Sequence, residues 1–144
     1  MIANYAAQTY DPTKVQVLVA GVPTVGFAEG SIIKATRNSD LNTVHVGAQG
    51  QADFVESADK SGEITITIKQ NSPSNALFQT LHNQKAKVPI VCVDVNIGAS
   101  FGFNAMECKV KKLPDFERGK DIGEIEWVFV AAELNYNWPT FTPT

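Results

Sequence analysis

Histidine and cysteine are scarce in this chain. There are two of each in 144 residues, with no CxxC spacing and no His near either cysteine. So little nitrogen and sulfur leaves no material for a metal cluster. Basic charge is not in excess either: 12 Lys and Arg stand against 15 Asp and Glu, for a formal charge of −3 and a pI near 5.3. A protein that grips nucleic acid through a basic face is thereby disfavoured, because that grip depends on cations neutralising phosphates. No apolar run approaches the ~20 residues of a membrane helix, so no membrane insertion is expected. The opening MIANYAAQTYDPTK has neither the basic region nor the apolar run of a secretory signal. Internal repeats, low-complexity tracts and linkers are missing too. At 15.6 kDa the chain fits one domain, 1–144, with a substantial core.

What is present is mostly alternation. In VQVLV, Val15, Val17 and Val19 share one face, and Gly21, Pro23 and Gly26 mark a hairpin-like connection to a second short extended segment, SIIKATRN. EITITIKQ is the clearest strand, with Ile64, Ile66 and Ile68 opposite Glu63, Thr65, Thr67 and Lys69. VPIVCVDVN puts Val91, Val93 and Val95 opposite Ile90, Cys92, Asp94 and Asn96. IGASFG reads as a glycine-rich turn, after which Met106, Cys108 and Val110 are expected to oppose Glu107, Lys109 and Lys111. EIEWVFVAAEL sets Ile125, Trp127, Phe129 and Ala131 against Glu124, Glu126, Val128, Val130 and Ala132.

One segment changes period. NSPSNALFQTLHNQK predicts a helix over about 73–84, capped by Ser72, with Pro73 at its first position and Ala76, Leu77, Phe78 and Leu81 as its apolar stripe. The expectation is a mainly antiparallel β protein of six or seven strands, a small barrel or two-sheet sandwich with one packed α-helix. The polar, turn-rich stretch 38–61 contains two strand-like pieces, TVHV and ADFVE. A loop of that length without structure is unusual, so an extended hairpin arm is expected, packed against something outside the domain.

Catalytic, cofactor-binding and metal-binding residues are all read as none. His45 and His82 share no spacing; a strand-surface position and a last-turn position explain them. No GxSxG elbow is present, and GVPTVG and GASFGF lack the spacing and the basic residue of a phosphate loop. Asp115, Glu117, Asp121, Glu124 and Glu126 fit a solvated connection better than paired acid–base chemistry. For Cys92 and Cys108, two reduced, buried thiols is the plainer reading, with one disulfide as the alternative. Lys109, Lys111 and Lys112 form the one small basic cluster, read equally as an ordinary solvated face or as a surface that meets acidic groups such as those of 115–126 on a neighbouring copy. No enzymatic activity is expected.

The stretch SGEITITIKQNSPSNALFQTLHNQK resembles the central signature of the bacteriophage tail tube protein family. A strand of alternating Thr and apolar residues runs into a helix start matched by Gln70, Ser72, Pro73, Ser74 and Asn75. GVPTVGFAEGSIIKATRN is similar to the family's first hairpin, turning through Gly26, Phe27 and Ala28 toward the arm.

The resemblance implies a structural subunit of the virion tail, forming hexameric rings stacked head-to-tail into a hollow tube. The arm would contact the adjacent ring, and the helix would lie outward beneath a sheath where the tail contracts. EITITIKQ and one of the later strands, 88–96 or 123–134, would contribute to the wall. Implied partners are sheath, tape measure, baseplate hub and tail terminator proteins. Double-stranded DNA would pass through the lumen without specific binding, and assembly would occur in the cytoplasm of the bacterial host. Six copies at −3 carry −18 per ring, which suggests an acidic lumen that DNA does not adhere to. The same fold serves tubes of contractile injection and secretion systems and single-ring baseplate or terminator proteins, which remain the alternatives.

Overall fold

The structure, a computed structural model, describes residues 7, 9–30, 32–96 and 101–138. The glycine-rich turn read at IGASFG falls largely on residues 97–100, outside the described residues. The strands are β1 (Val15–Val19), β2 (Val22–Pro23), β3 (Ile33–Arg37), β4 (Asn42–Val46), β5 (Ala52–Glu56), β6 (Gly62–Lys69), β7 (Val88–Asp94), β8 (Phe101–Lys112), β9 (Glu124–Ala131) and β10 (Asn135–Asn137). One helix, α1, spans Ser74–Gln84.

Eight strands form one antiparallel sheet in the order β2-β1-β7-β8-β9-β6-β3, with β10 added alongside β8. The path has two ends and does not close, so the architecture is sandwich-like rather than a barrel. The last turn between β1 and β2 is made by Ala20 and Gly21, both at positive φ (54° and 79°), as a two-residue hairpin turn demands. Past β2, the chain crosses toward the other end of the sheet, where Phe27 makes a single bridge to Ile68.

The sheet folds over on β8. This long strand pairs with β7 and β10 through its first half and with β9 through its second. Between them the register with β7 slips: Val88 faces Cys108 but Ile90 faces Ala105, so β8 carries one extra residue. Such a bulge bends the strand and turns its side chains over. Phe103 and Ala105 are therefore buried before the bulge and Cys108 after it, while Met106 is 66% exposed. This corrects the face assigned to Met106 from alternation alone, because period 2 does not survive an inserted residue.

Between the two halves lies the core. Ile64, Ile66 and Ile68 from β6 and Trp127 and Phe129 from β9 meet Val17 and Val19 from β1 and Ile90 from β7. Helix α1 seals this space with Phe78 and Leu81; Ala76, placed on the stripe by spacing, is exposed. The Phe78 ring stands edge-on to Trp127 and Phe129 at centroid distances of 5.5 and 5.3 Å, a favoured aromatic geometry.

The β4–β5 hairpin forms a separate two-stranded sheet, and all ten of its residues are exposed. It is the projecting arm.

Where β7 and β8 approach most closely, Gly102 lies against the Cys92 carbonyl, and a Cβ there would collide with backbone. Gly102→Ala should destabilise the fold by about 1–3 kcal/mol, since rigid main chain has to move to admit the methyl group. Denaturant unfolding reads this directly, and an unchanged midpoint would count against the close pairing.

Candidate functional site

No catalytic constellation assembles among the described residues. His45 lies on the exposed arm and His82 in the last turn of α1. The carboxylates of 115–126 do not converge: Glu124 and Glu126 stand opposite Lys69 and Thr67 on the exposed face of β9. Cys92 and Cys108 are free and buried, and burial pushes both thiols up to about 11, with Asp94 adding to the rise at Cys92. They carry few thiolates near neutral pH. Of the lysine cluster, Lys111 pairs with Glu63 of its own chain at 2.6 Å. The functional features are instead surfaces and the devices that position them.

The helix start is one such device. Pro73 already has helical dihedrals (φ −65°, ψ −18°), so Ser72 stands at the cap, its Oγ accepting from the Ser74 amide at 3.2 Å. That hydroxyl also donates to the Val25 carbonyl, and the Ser74 Oγ accepts from the Val25 amide at 3.0 Å. Gly26 then sits against Ser72 at positive φ (74°), where a Cβ would fall 2.7 Å from that of Ser72. Asn75 completes the knot. Its Nδ2 lies within 3.0–3.2 Å of the carbonyls of Lys69, Gln70 and Ser72, and its Oδ1 accepts from Trp127 Nε1 at 2.9 Å. The serines and asparagine of this motif thus tie helix, hairpin, β6 and β9 together, and none is presented to a ligand.

A second device fixes the arm. Asp59 accepts from the Ser61 hydroxyl (2.6 Å) and amide (2.9 Å) and from the Ser39 hydroxyl (2.7 Å), so one carboxylate joins both legs of the arm. Asn38 adds a bond from its side chain to the Ser61 hydroxyl at 3.1 Å. The hydrogen bonds from Ser61 and Ser39, with a smaller effect of nearby Arg37, lower the Asp59 carboxyl to about 2.

Among the described residues, the ends of the sheet are open. β3 pairs with β6 on one side only, and β1 loses its outer partner after Thr24 donates to Val17, because Val25 turns to Ser74 instead. Beside that edge runs a groove of about 760 Å³, lined by Val15, Val17, Val25, Phe27 and Ile32, with the buried Thr24 Oγ1 left without a partner. Sequence reasoning had no signal for this groove, since it depends on where β2 ends.

Charge is segregated. From Asn38 to Asp59 the chain carries Asp40, Asp53, Glu56 and Asp59 and no Lys or Arg, a formal −4. The remaining 11 acidic and 12 basic residues leave the rest of the chain at +1. The negative excess thus belongs to the arm, and the overall −3 says nothing about an acidic channel.

The Bacteriophage PhiTE tail tube protein family matches residues 19–137, and the chain belongs to that family. No curated protein sequence matches it. Among solved structures it is similar to the tube-terminating cap of the anti-feeding prophage (AFP), with a TM-score of 0.64 at 14% identity over 94% of this chain and 95% of the cap. The sheath/tube terminator of PVC, an extracellular contractile injection system, gives 0.61 at 14% identity, covering 93% and 100%. The PVC sheath–tube complex in its extended state gives 0.59 at 14% identity, covering 90% and 91%. At such identity the likeness is one of fold.

Asn75→Ala should cost about 1–3 kcal/mol, because the buried Trp127 N–H and three carbonyls lose their partner together. Thermal unfolding checks it; a loss no larger than that of an exposed Asn would remove the motif's role as a knot. For Asp59, the folded carboxyl lies below its ordinary 3.8, so the clamp is complete above about pH 4 and is lost as pH falls toward 2. An NMR titration of that carboxyl should give a midpoint near 2, with the Ser61 amide following it; a midpoint near 3.8 would show the clamp to be open.

Proposed function

We propose that this chain is the structural, non-catalytic subunit of a phage tail tube, assembling as hexameric rings stacked head-to-tail around a channel that delivers DNA. The family match across 19–137 carries the reading. The two ends of the sheet support it: the edge at β1 and β2 differs from the edge at β3, so a pairing between copies is heterologous and propagates until a ring closes. Pairing in this way also occupies backbone groups that a free edge would leave open to uncontrolled association. β6 and β9 then belong to the wall, and the arm reaches a second copy.

The outer side of the ring is formed by α1 and the connection 113–123, where Phe116 is 83% exposed beneath the Arg118 guanidinium. That surface faces a sheath in a contractile tail. The sheath, tape measure, baseplate hub and terminator are the partners of this reading, which places the chain in the virion tail after assembly in the host cytoplasm. Membership in a contractile system draws support from the fold shared with tube and terminator proteins of contractile injection systems. The second reading, a single-ring cap or terminator, is favoured by the fold match to the AFP cap over nearly its whole length.

Negative-stain electron microscopy at high protein concentration separates them. Long hollow tubes are expected for the tube subunit, whereas single rings mark a terminator. Deleting residues 42–58 should leave a folded monomer, since both strands of the arm are exposed and the span holds no core residue, and should abolish tubes. Normal tubes from the deletion would falsify the role given to the arm.

A further inference from the structure

The arm has one apolar face. Cross-strand register puts Asn42, Val44 and Val46 on the same side as Ala52, Phe54 and Glu56, with Val44 directly opposite Phe54. Val44, Val46 and Phe54 are 57%, 61% and 78% exposed, so no described residue of their own chain covers them. Around this apolar face the arm bears acid and no Lys or Arg.

A surface with the opposite character lies on the body. A hollow of about 340 Å³ is floored by Val130, Ala131 and Ala132 and walled by Lys87, Lys109 and Glu107. Among the described residues, neither lysine has an acidic partner within 4.0 Å. Its level in the fold is set by register. Val88, Cys108, Ala131, Gly62 and Arg37 stand side by side across β7, β8, β9, β6 and β3. Lys87, Lys109 and Val130 lie one residue to one side of that row, and Glu107 and Ala132 one residue to the other. The arm leaves the body one residue beyond the same row, at Asn38 and Ser61. The hollow therefore straddles the row, and the arm starts on its Ala132 side.

We propose that the arm docks on a second copy of this chain, its Val44–Phe54 face over Val130 and Ala132 and its acidic groups, Glu56 foremost, against Lys87 and Lys109. This rests on the assembly proposed above and names the contact within it. Charge complementarity selects the hollow: a four-carboxylate arm meets paired lysines beside an apolar floor. The clamp at Asp59 holds the arm in place beforehand, so less ordering remains to be done on contact.

The test uses full-length protein, half of it labelled with 15N, assembled and treated with a zero-length carbodiimide that joins carboxylates to lysines. Cross-links between copies should connect Glu56 or Asp53 to Lys87 or Lys109. Arm cross-links that go instead to Lys14, Lys69 or Lys120 would overturn the docking site. Asp53→Lys with Glu56→Lys, and separately Lys87→Glu with Lys109→Glu, should each raise the concentration needed for assembly at least about tenfold at low salt, and combining all four in one chain should recover most of it. These side chains are exposed, so circular dichroism should show every variant folded. Reversals without effect overturn the docking while leaving the tube reading intact, provided the arm deletion abolishes tubes. Wild-type protein that stays monomeric and gives no cross-link between copies overturns both.

Discussion

The core exists because one sheet folds back on itself, and that fold turns on β8. Without its extra residue between Ala105 and Cys108, the strand would continue straight and its halves would face opposite sides. With it, Phe103 and Cys108 are both buried in the core, one on each side of the bulge. A second register shift, where Val110 faces Phe129 but Lys112 faces Val128, bends the strand further. Helix α1 then has a gap of fixed shape to fill, and Phe78 fills it against two aromatic edges. The helix is too short to persist alone, so its stability is tertiary.

Folding over does not amount to closing. A closed barrel would satisfy every edge within one chain, whereas here β3 and the β1–β2 hairpin end the sheet with different unpaired edges. The Ser72–Ser74–Asn75 knot keeps them apart. By binding the Val25 amide and carbonyl, the two serines draw the chain away from β1 just after Thr24, which ends that pairing and opens the adjoining groove. An edge left open by two specific hydrogen bonds differs from an edge left by a missing strand: it is held in one geometry.

Strands whose register is undisturbed were legible from alternation. β6 and β9 bury the residues that period 2 assigns, because they lie side by side over eight paired positions without a bulge. The helix start was legible as well, since Ser-Pro has a local physical meaning. Met106 was misplaced because a bulge leaves no mark in composition; what inserts the residue is the pairing of β8 with two partners. The choice between barrel and sandwich was equally out of reach. It depends on where Val25 donates its hydrogen bond, 49 residues away in sequence at Ser74. For the arm, polarity gave away the exposure and alternation the two strands, but Asp59 looked like any surface acid.

Net charge was the most misleading quantity. A value of −3 invites a view of the whole molecule as mildly acidic, and from there of an acidic channel. Its distribution supports a different inference. An arm at −4 on a body at +1 repels another arm and attracts another body, which favours arm-to-body over arm-to-arm contact. In the assembly proposed above, such segregation discriminates against the symmetric arm-to-arm contact that an exposed apolar hairpin otherwise favours. Exposure of Phe54 is then tolerable in the free subunit because the carboxylates beside it keep two such hairpins apart. Acid on the arm thus has two effects from one cause, keeping free copies separate and orienting them when they join.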